Sequence, residues 1–303
     1  MVILLGGSGY VGGAYQRYFQ KKGIAAESLS RAFVDYSNPW VLEAYLRKSK
    51  ASFLINCAGF TGKPNVDACE ERKADTLEGN ALLPDRVRLA CESAGVPWGH
   101  VSSGCIYSGR RGDGQGFEEN DEPNFSFRSP PCSFYSGTKA LGEEILKGAK
   151  DCYIWRLRIP FDSEWSPRNF LVKLIKYDIL LDAENSISHL EEFVAATFAC
   201  WEKRIPFGVY NVTQPGSVTA RQVTEWMGEE RDRRERENLA NPFPKTFRFF
   251  ASEDEFMRLA ARTPRSNCVL STEKLEGVGI KLTPAEVKVR ECLRSLGLVG
   301  AEA

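Results

Sequence analysis

Four consecutive apolar residues, Val2-Ile3-Leu4-Leu5, run directly into Gly6-Gly7-Ser8-Gly9-Tyr10-Val11-Gly12. A short buried strand that ends in glycines three apart and then opens a helix leaves few folds available. Gly6 permits the tight turn, Gly9 lets a pyrophosphate approach the backbone, and Gly12 lets helix and strand pack closely. The backbone from Ser8 through Tyr10 and Val11 then faces that anion with the positive end of the helix dipole behind it. Apolar segments at 24–29, 52–56, 98–102 and 152–156 alternate with helical patterns at 40–48, 80–94 and 134–147. Such alternation predicts a parallel sheet covered on both faces.

The expected fold class is therefore α/β, a Rossmann-type doubly wound parallel sheet over residues 1–160. A smaller, mostly helical substrate lobe is expected over 161–303, with the return of one segment to the first domain left open. Helices are predicted at 170–177, 190–201, 219–226 and 284–296, and a strand at 209–212. The stretch 227–237 is nearly all charge and reads as a solvated helix face. Forty basic residues balance forty acidic ones, so no global field favours nucleic acid or an anionic membrane. No apolar run reaches transmembrane length or resembles a signal-peptide core. Nine scattered cysteines form no Cys-x-x-Cys pair. That argues against a metal site and a disulfide framework, and for a reducing cytosol.

The second strand ends at Ser30-Arg31, where a chain that binds NAD usually carries an acid for the ribose 2′-hydroxyl. A hydroxyl beside a guanidinium suits a 2′-phosphate, which favours NADP(H) over NAD(H); the bland alternative makes Arg31 an ordinary surface arginine. Asp35 and Tyr36 are expected at the adenine edge. Cys57, Ala58 and Gly59 end the third strand, where small residues admit the cofactor, and Thr61 follows them.

Tyr135 and Lys139 lie one helical turn apart and share a face. A lysine ammonium beside a tyrosine favours phenolate and lowers a pKa that is ordinarily about 10. The pair can then protonate a carbonyl oxygen as hydride reaches its carbon. Ser103, at the end of the fourth strand, can hydrogen-bond the same oxygen. Residues 108–132 read as a long loop, a feature more often functional than accidental.

These residues resemble the extended short-chain dehydrogenase/reductase family. Within it, Gly59-Phe60-Thr61-Gly62-Lys63-Pro64-Asn65-Val66-Asp67, Ser103-Gly104-Cys105-Ile106-Tyr107, Pro167-Arg168-Asn169-Phe170 and Pro264-Arg265-Ser266-Asn267 resemble the nucleotide-rhamnose epimerase-reductases. A more distant similarity is to the dTDP-4-dehydrorhamnose reductases. The residue before Gly104 is serine where plant-like members often carry threonine, and the loop at 108–116 has no clear match.

The resemblance implies conversion of a nucleoside-diphosphate 4-keto-6-deoxy-glucose to NDP-L-rhamnose, by 3,5-epimerisation and then reduction of the C4 ketone with NADPH. It implies Cys105 and Lys173 as the epimerising pair, with Ser103, Tyr135 and Lys139 carrying the reduction. Arg168, Asn169, Arg265 and Asn267 are implied in substrate binding. Asn80 ties helix to strand and supports a bound water near Lys139, as in related enzymes. Pairing as a homodimer through helices at 80–94 and 134–147 is a further implication.

Blander roles remain open for several of these. Cys105 follows a buried strand, where a cysteine is usually a small apolar residue. Lys173 can snorkel from an apolar helix, and either arginine can be a structural ion-pair partner. The sugar nucleotide, UDP- or dTDP-linked, is not distinguished. A 4-ketoreductase without epimerase activity, or one acting on another 4-keto sugar, is the nearest alternative. A non-catalytic NADP-binding regulatory subunit shares the fold, but the intact Ser103, Tyr135, Lys139 and Cys105 argue against it.

Overall fold

The computed structural model describes residues 1–63 and 65–297. Pro64, within the 59–67 motif, and residues 298–303 of the second segment lie outside the described residues. The chain begins with strand β1 (Val2–Leu5), helix α1 (Tyr10–Lys22), β2 (Ala26–Leu29), α2 (Pro39–Ser49) and β3 (Phe53–Asn56). One-turn α3 (Ala68–Glu71) and α4 (Lys73–Leu77) lead through a π-helical turn at Glu78–Leu82 into α5 (Leu83–Ala94) and β4 (Trp98–Ser103). After the long loop come α6 (Phe134–Ile145), β5 (Cys152–Leu157), β6 (Pro160–Phe161), α7 (Phe170–Lys176), β7 (Ser188–His189), α8 (Leu190–Glu202) and β8 (Gly208–Asn211). The chain ends in α9 (Ala220–Arg236), α10 (Glu253–Leu259), α11 (Glu273–Gly277) and α12 (Ala285–Ser295).

The main sheet is parallel throughout, in the order β2-β1-β3-β4-β5-β8. This is the doubly wound Rossmann arrangement. Strands β1 and β3 are buried along their whole length, as expected of central strands that carry helices on both faces. The strand order reverses between them, and that reversal opens a crevice at their carboxyl ends. Local chemistry fixes the helix ends. Asn38 accepts the amides of Trp40 and Val41 ahead of Pro39, while Gly23 and Gly95 close α1 and α5 in the left-handed conformation.

Two apolar layers sandwich the sheet. Tyr15, Phe19 and Phe198 pack with Phe53 and Trp155 on one face, and Leu42, Leu46 and Val87 cover the other. A third cluster joins Phe161, Leu171, Val172, Val223, Met227 and Val289. Residues after 161 serve both regions, because β8 pairs with β5 and α8 packs on α1.

The charged stretch 227–237 corrects the sequence expectation. It continues α9 to Arg236, and Met227, Glu230 and Arg234 are buried. Arg234 is fully enclosed: Glu230 takes its Nε–H at 2.8 Å, and its Nη2 donates to the carbonyls of Leu293 at 2.8 Å and Leu296 at 3.0 Å. A charge run becomes an interior face because one guanidinium satisfies the open carbonyls at the end of α12.

Candidate active site

The glycine turn forms its cradle by close approach. Gly6 has φ +76°, and a Cβ there would lie 2.6 Å from the Ala58 amide nitrogen. A Cβ on Gly12 would overlap the Gly6 carbonyl oxygen and sit 2.7 Å from Gly7 Cα. Gly9 caps α1 without a side chain, leaving the first amides of that helix open. Ser8, Gly9, Tyr10, Val11 and Gly12 line a cleft of about 1270 Å³ at the switch point. This cradle fits a dinucleotide pyrophosphate.

Cys57, Gly59 and Thr61 continue the cleft wall from β3, whereas Gly6 and Ala58 form the crossing beneath it. Ser30, Arg31 and Asp35 are exposed at the outer end of β2 and do not line the cleft. Tyr36 departs from its expected place. Its ring is buried among Leu29, Val34 and Leu42, so it supports the loop that presents Arg31 rather than offering a face to a ligand. Asn80 accepts the Phe60 amide at 2.9 Å and donates to the Phe60 carbonyl at 2.8 Å. A third bond, to Thr138 Oγ1 at 3.3 Å, ties the π turn to both the β3 loop and α6.

Ser103, Cys105, Tyr135 and Lys139 share the middle of the cleft. Ser103 ends β4 and accepts the Cys105 amide at 3.2 Å, so the turn that follows places serine and cysteine together. Helix α6 is capped by Ser133, whose hydroxyl accepts the Ser136 amide at 3.1 Å. Lys139 is 6% exposed, and burial lowers its pKa, with Cys105 and Glu143 opposing that shift. The phenol of Tyr135 differs from expectation. Burial and then Cys105 push it above its ordinary value, while the Ser103 hydroxyl and the Arg158 guanidinium oppose them. Desolvation dominates, because a phenolate held here loses more hydration than Ser103 and Arg158 restore. The protonated phenol is the species a proton donor requires.

The far wall comes from the second half of the chain. Lys173, on α7, faces the cleft half-buried, and burial followed by Arg168 lowers its pKa. Burial raises the Cys105 thiol. Arg168 donates to Thr61 Oγ1 and to the Gly62 carbonyl, both at 3.1 Å, and Arg265 pairs with Asp67. Asn267 lines the cleft, with its side-chain oxygen accepting from Asn185 at 3.2 Å.

Asn169 does not reach the cleft. It is fully buried, its oxygen caps α7 at Leu171, and its amide group donates to Asp162 and Glu164. It holds the helix that carries Lys173. Sequence reasoning missed Arg158, a buried cleft residue bonded to Asn185 and to the Ser266 carbonyl. Its Nε has no partner among the described residues. The available signal was a cation directly after the apolar strand 152–157, at the end of the sheet where ligands bind.

A dinucleotide cradle that shares one cleft with a Ser-Tyr-Lys set defines the class: an NAD(P)-dependent oxidoreductase fold of the short-chain dehydrogenase/reductase type. The family is narrower. The profile of the RmlD substrate binding domain matches residues 1–297, and the chain belongs to that family.

Among curated relatives, the chain is 32% identical over 279 residues to a bifunctional dTDP-4-dehydrorhamnose 3,5-epimerase/dTDP-4-dehydrorhamnose reductase of Arabidopsis thaliana, covering 90% of this chain and 86% of the relative. It is 30% identical over 296 residues to a trifunctional UDP-glucose 4,6-dehydratase/UDP-4-keto-6-deoxy-D-glucose 3,5-epimerase/UDP-4-keto-L-rhamnose-reductase of the same plant. That match covers 96% of this chain but only 40% of the relative's length.

The fold matches the L780 UDP-rhamnose synthase of Acanthamoeba polyphaga mimivirus with TM-score 0.85 at 21% identity, over 97% of this chain and 98% of that one. It also matches a dTDP-4-dehydrorhamnose reductase of Bacillus anthracis in complex with NADP, with TM-score 0.75 at 18% identity and 98% coverage of both chains. No helix among the described residues is long and apolar enough to cross a membrane.

Proposed function

We propose that the chain converts a nucleoside-diphosphate 4-keto-6-deoxy-glucose to the NDP-L-rhamnose by 3,5-epimerisation followed by reduction at C4. The observation that carries this reading is that Cys105 and Lys173 line the same cleft as Ser103, Tyr135 and Lys139. A ketone at C4 acidifies the hydrogens at C3 and C5. Lys173, with its pKa lowered, is readied to accept a proton, and Cys105, with its thiol raised, holds one to give from the other side. NADPH, when bound, supplies the hydride for C4. Ser103 hydrogen-bonds the ketone oxygen, Tyr135 gives it a proton, and Lys139 sits behind them as the buried cation.

In this reading residues 1–160 chiefly carry the cofactor, with Arg31 taking the 2′-phosphate. Arg168 and Arg265 take the sugar nucleotide's diphosphate. The protein pairs with a second copy through α5 and α6, an assignment supported by Leu89 on α5 and by Leu82 at the end of the π turn before it, which are 47% and 39% exposed. Nine free thiols suit a reducing cytosol.

The test is turnover without a helper. Purified protein and NADPH should convert the 4-keto sugar nucleotide to its L-rhamnose product with no separate epimerase, and Cys105→Ala should abolish that conversion. If NADPH is consumed only after an independent epimerase is added, the chain is a 4-ketoreductase alone.

A further inference from the structure

Helix α3 is a single turn, yet it and its N-cap residue hold both walls of the cleft. Asp67, just before it, takes Arg265 in a bidentate pair: Nη1 donates to Oδ1 at 2.7 Å and Nη2 to Oδ2 at 2.8 Å. Both side chains are mostly buried, 15% and 18% exposed. Glu71 pairs with Arg262 farther along the same segment. Glu70 turns the other way, and its Oε1 accepts the Phe134 amide at 2.7 Å. Phe134 is the first residue of α6 and the neighbour of Tyr135.

The donor inventory of Arg265 shows what is left for a ligand. A guanidinium has five N–H groups. Asp67 takes one from each terminal nitrogen, and the Thr263 carbonyl takes another from Nη1 at 3.1 Å. Among the described residues the Nε–H and the second Nη2–H are left over, along one edge of the plane. That edge has the fork spacing that grips two phosphate oxygens, and Arg265 lines the cleft.

We propose that α3 is a positioning element for the reaction proposed above: Asp67 aims the free edge of Arg265 at the substrate diphosphate, and Glu70 fixes the first turn of α6. The same short helix then sets the diphosphate clamp and the proton donor Tyr135. This inference rests on the proposed function for its substrate. Neither carboxylate touches substrate; each acts through the residue it holds.

Two variants separate the two roles. Asp67→Asn keeps the shape but cannot accept from both guanidinium nitrogens. Titration calorimetry should give a Kd for UDP or dTDP raised about tenfold, the scale of one lost charge-assisted bond. The KM for the sugar nucleotide should rise with it while kcat stays within about twofold. Glu70→Ala should lower kcat about tenfold through misplacement of the proton donor and leave the UDP Kd unchanged. Glu70→Gln, which retains an acceptor oxygen, should restore most of the rate. Unchanged UDP binding in Asp67→Asn overturns the proposal, and so does a Glu70→Ala rate that Glu70→Gln fails to restore. If the wild-type protein binds UDP but turns over no 4-keto sugar nucleotide, the proposed function fails. The Asp67→Asn titration, which needs no turnover, still decides the clamp.

Discussion

Glu143 lies one turn beyond Lys139 on α6 and carries a concentrated group of polar contacts. Its carboxylate accepts Arg156 Nε at 3.2 and 3.1 Å, Arg156 Nη2 at 2.7 Å and the Ser102 hydroxyl at 2.6 Å. The Arg156 side chain is only 4% exposed and that of Glu143 10%. Replacing Glu143 with glutamine keeps the volume but removes the counter-charge and turns an amide NH2 toward donors. An enclosed guanidinium without its partner costs about 3–5 kcal/mol, a large share of the roughly 5–15 kcal/mol that holds a domain folded.

With a urea slope of about 3 kcal/mol per molar, the unfolding midpoint should fall by about 1–1.7 M. Replacing both partners with apolar residues, Glu143→Leu with Arg156→Met, should recover most of that loss because no charge is then stranded. A shift below about 1 kcal/mol for Glu143→Gln would refute the argument and put the pair with solvent-screened surface bridges. A double variant no more stable than the single one would do the same.

Gly12→Ala should abolish NADPH binding in a fluorescence titration while the chain still folds, because the added methyl meets the Gly6 backbone; an unchanged Kd would mean that the cradle is not the cofactor site. Arg31→Ala should raise the Kd for NADPH about tenfold and leave that for NADH unchanged, the loss of one paired phosphate contact. Stability should peak between about pH 6.5 and 8.5. On the acid side, burial lowers His100 and His189, so their contribution is present above the unfolded value near 6.5 and is lost as pH falls. On the alkaline side, burial raises all nine thiols. Their contribution is present below the unfolded value near 8.5 and fades as pH rises toward the folded values, about 12 for Cys200 and Cys292. Urea midpoints that stay flat from about pH 7 to 9.5 would contradict the thiol argument.

Local patterns made the glycine cradle and the Tyr135–Lys139 pair legible in the sequence. The run from Val2 to Gly12 states strand, turn and helix in adjacent residues, and Tyr135 with Lys139 needs only the helical period. Features that depend on distant pairing were not legible. Asp67 and Arg265 are 198 positions apart, and nothing in either neighbourhood announces their pairing. Arg234 sits in a run that reads as solvent-facing, and only the carbonyls at the end of α12 explain its burial. Asn169 was read through a resemblance as a ligand, while its offset from Leu171 is that of an ordinary N-cap. Tyr36 was expected at the adenine edge, yet the tertiary core claims it. In each case the side chain's role is set by what packs over it.

The central claim is that one cleft inverts two carbon centres and then reduces the carbonyl between them. Blocking the last step isolates the first. Tyr135→Phe, incubated in heavy water with the 4-keto-6-deoxy sugar nucleotide, should place deuterium at both C3 and C5, and Tyr135→Phe combined with Lys173→Ala should place none. Mass spectrometry showing no deuterium at either carbon with Tyr135→Phe would contradict the account.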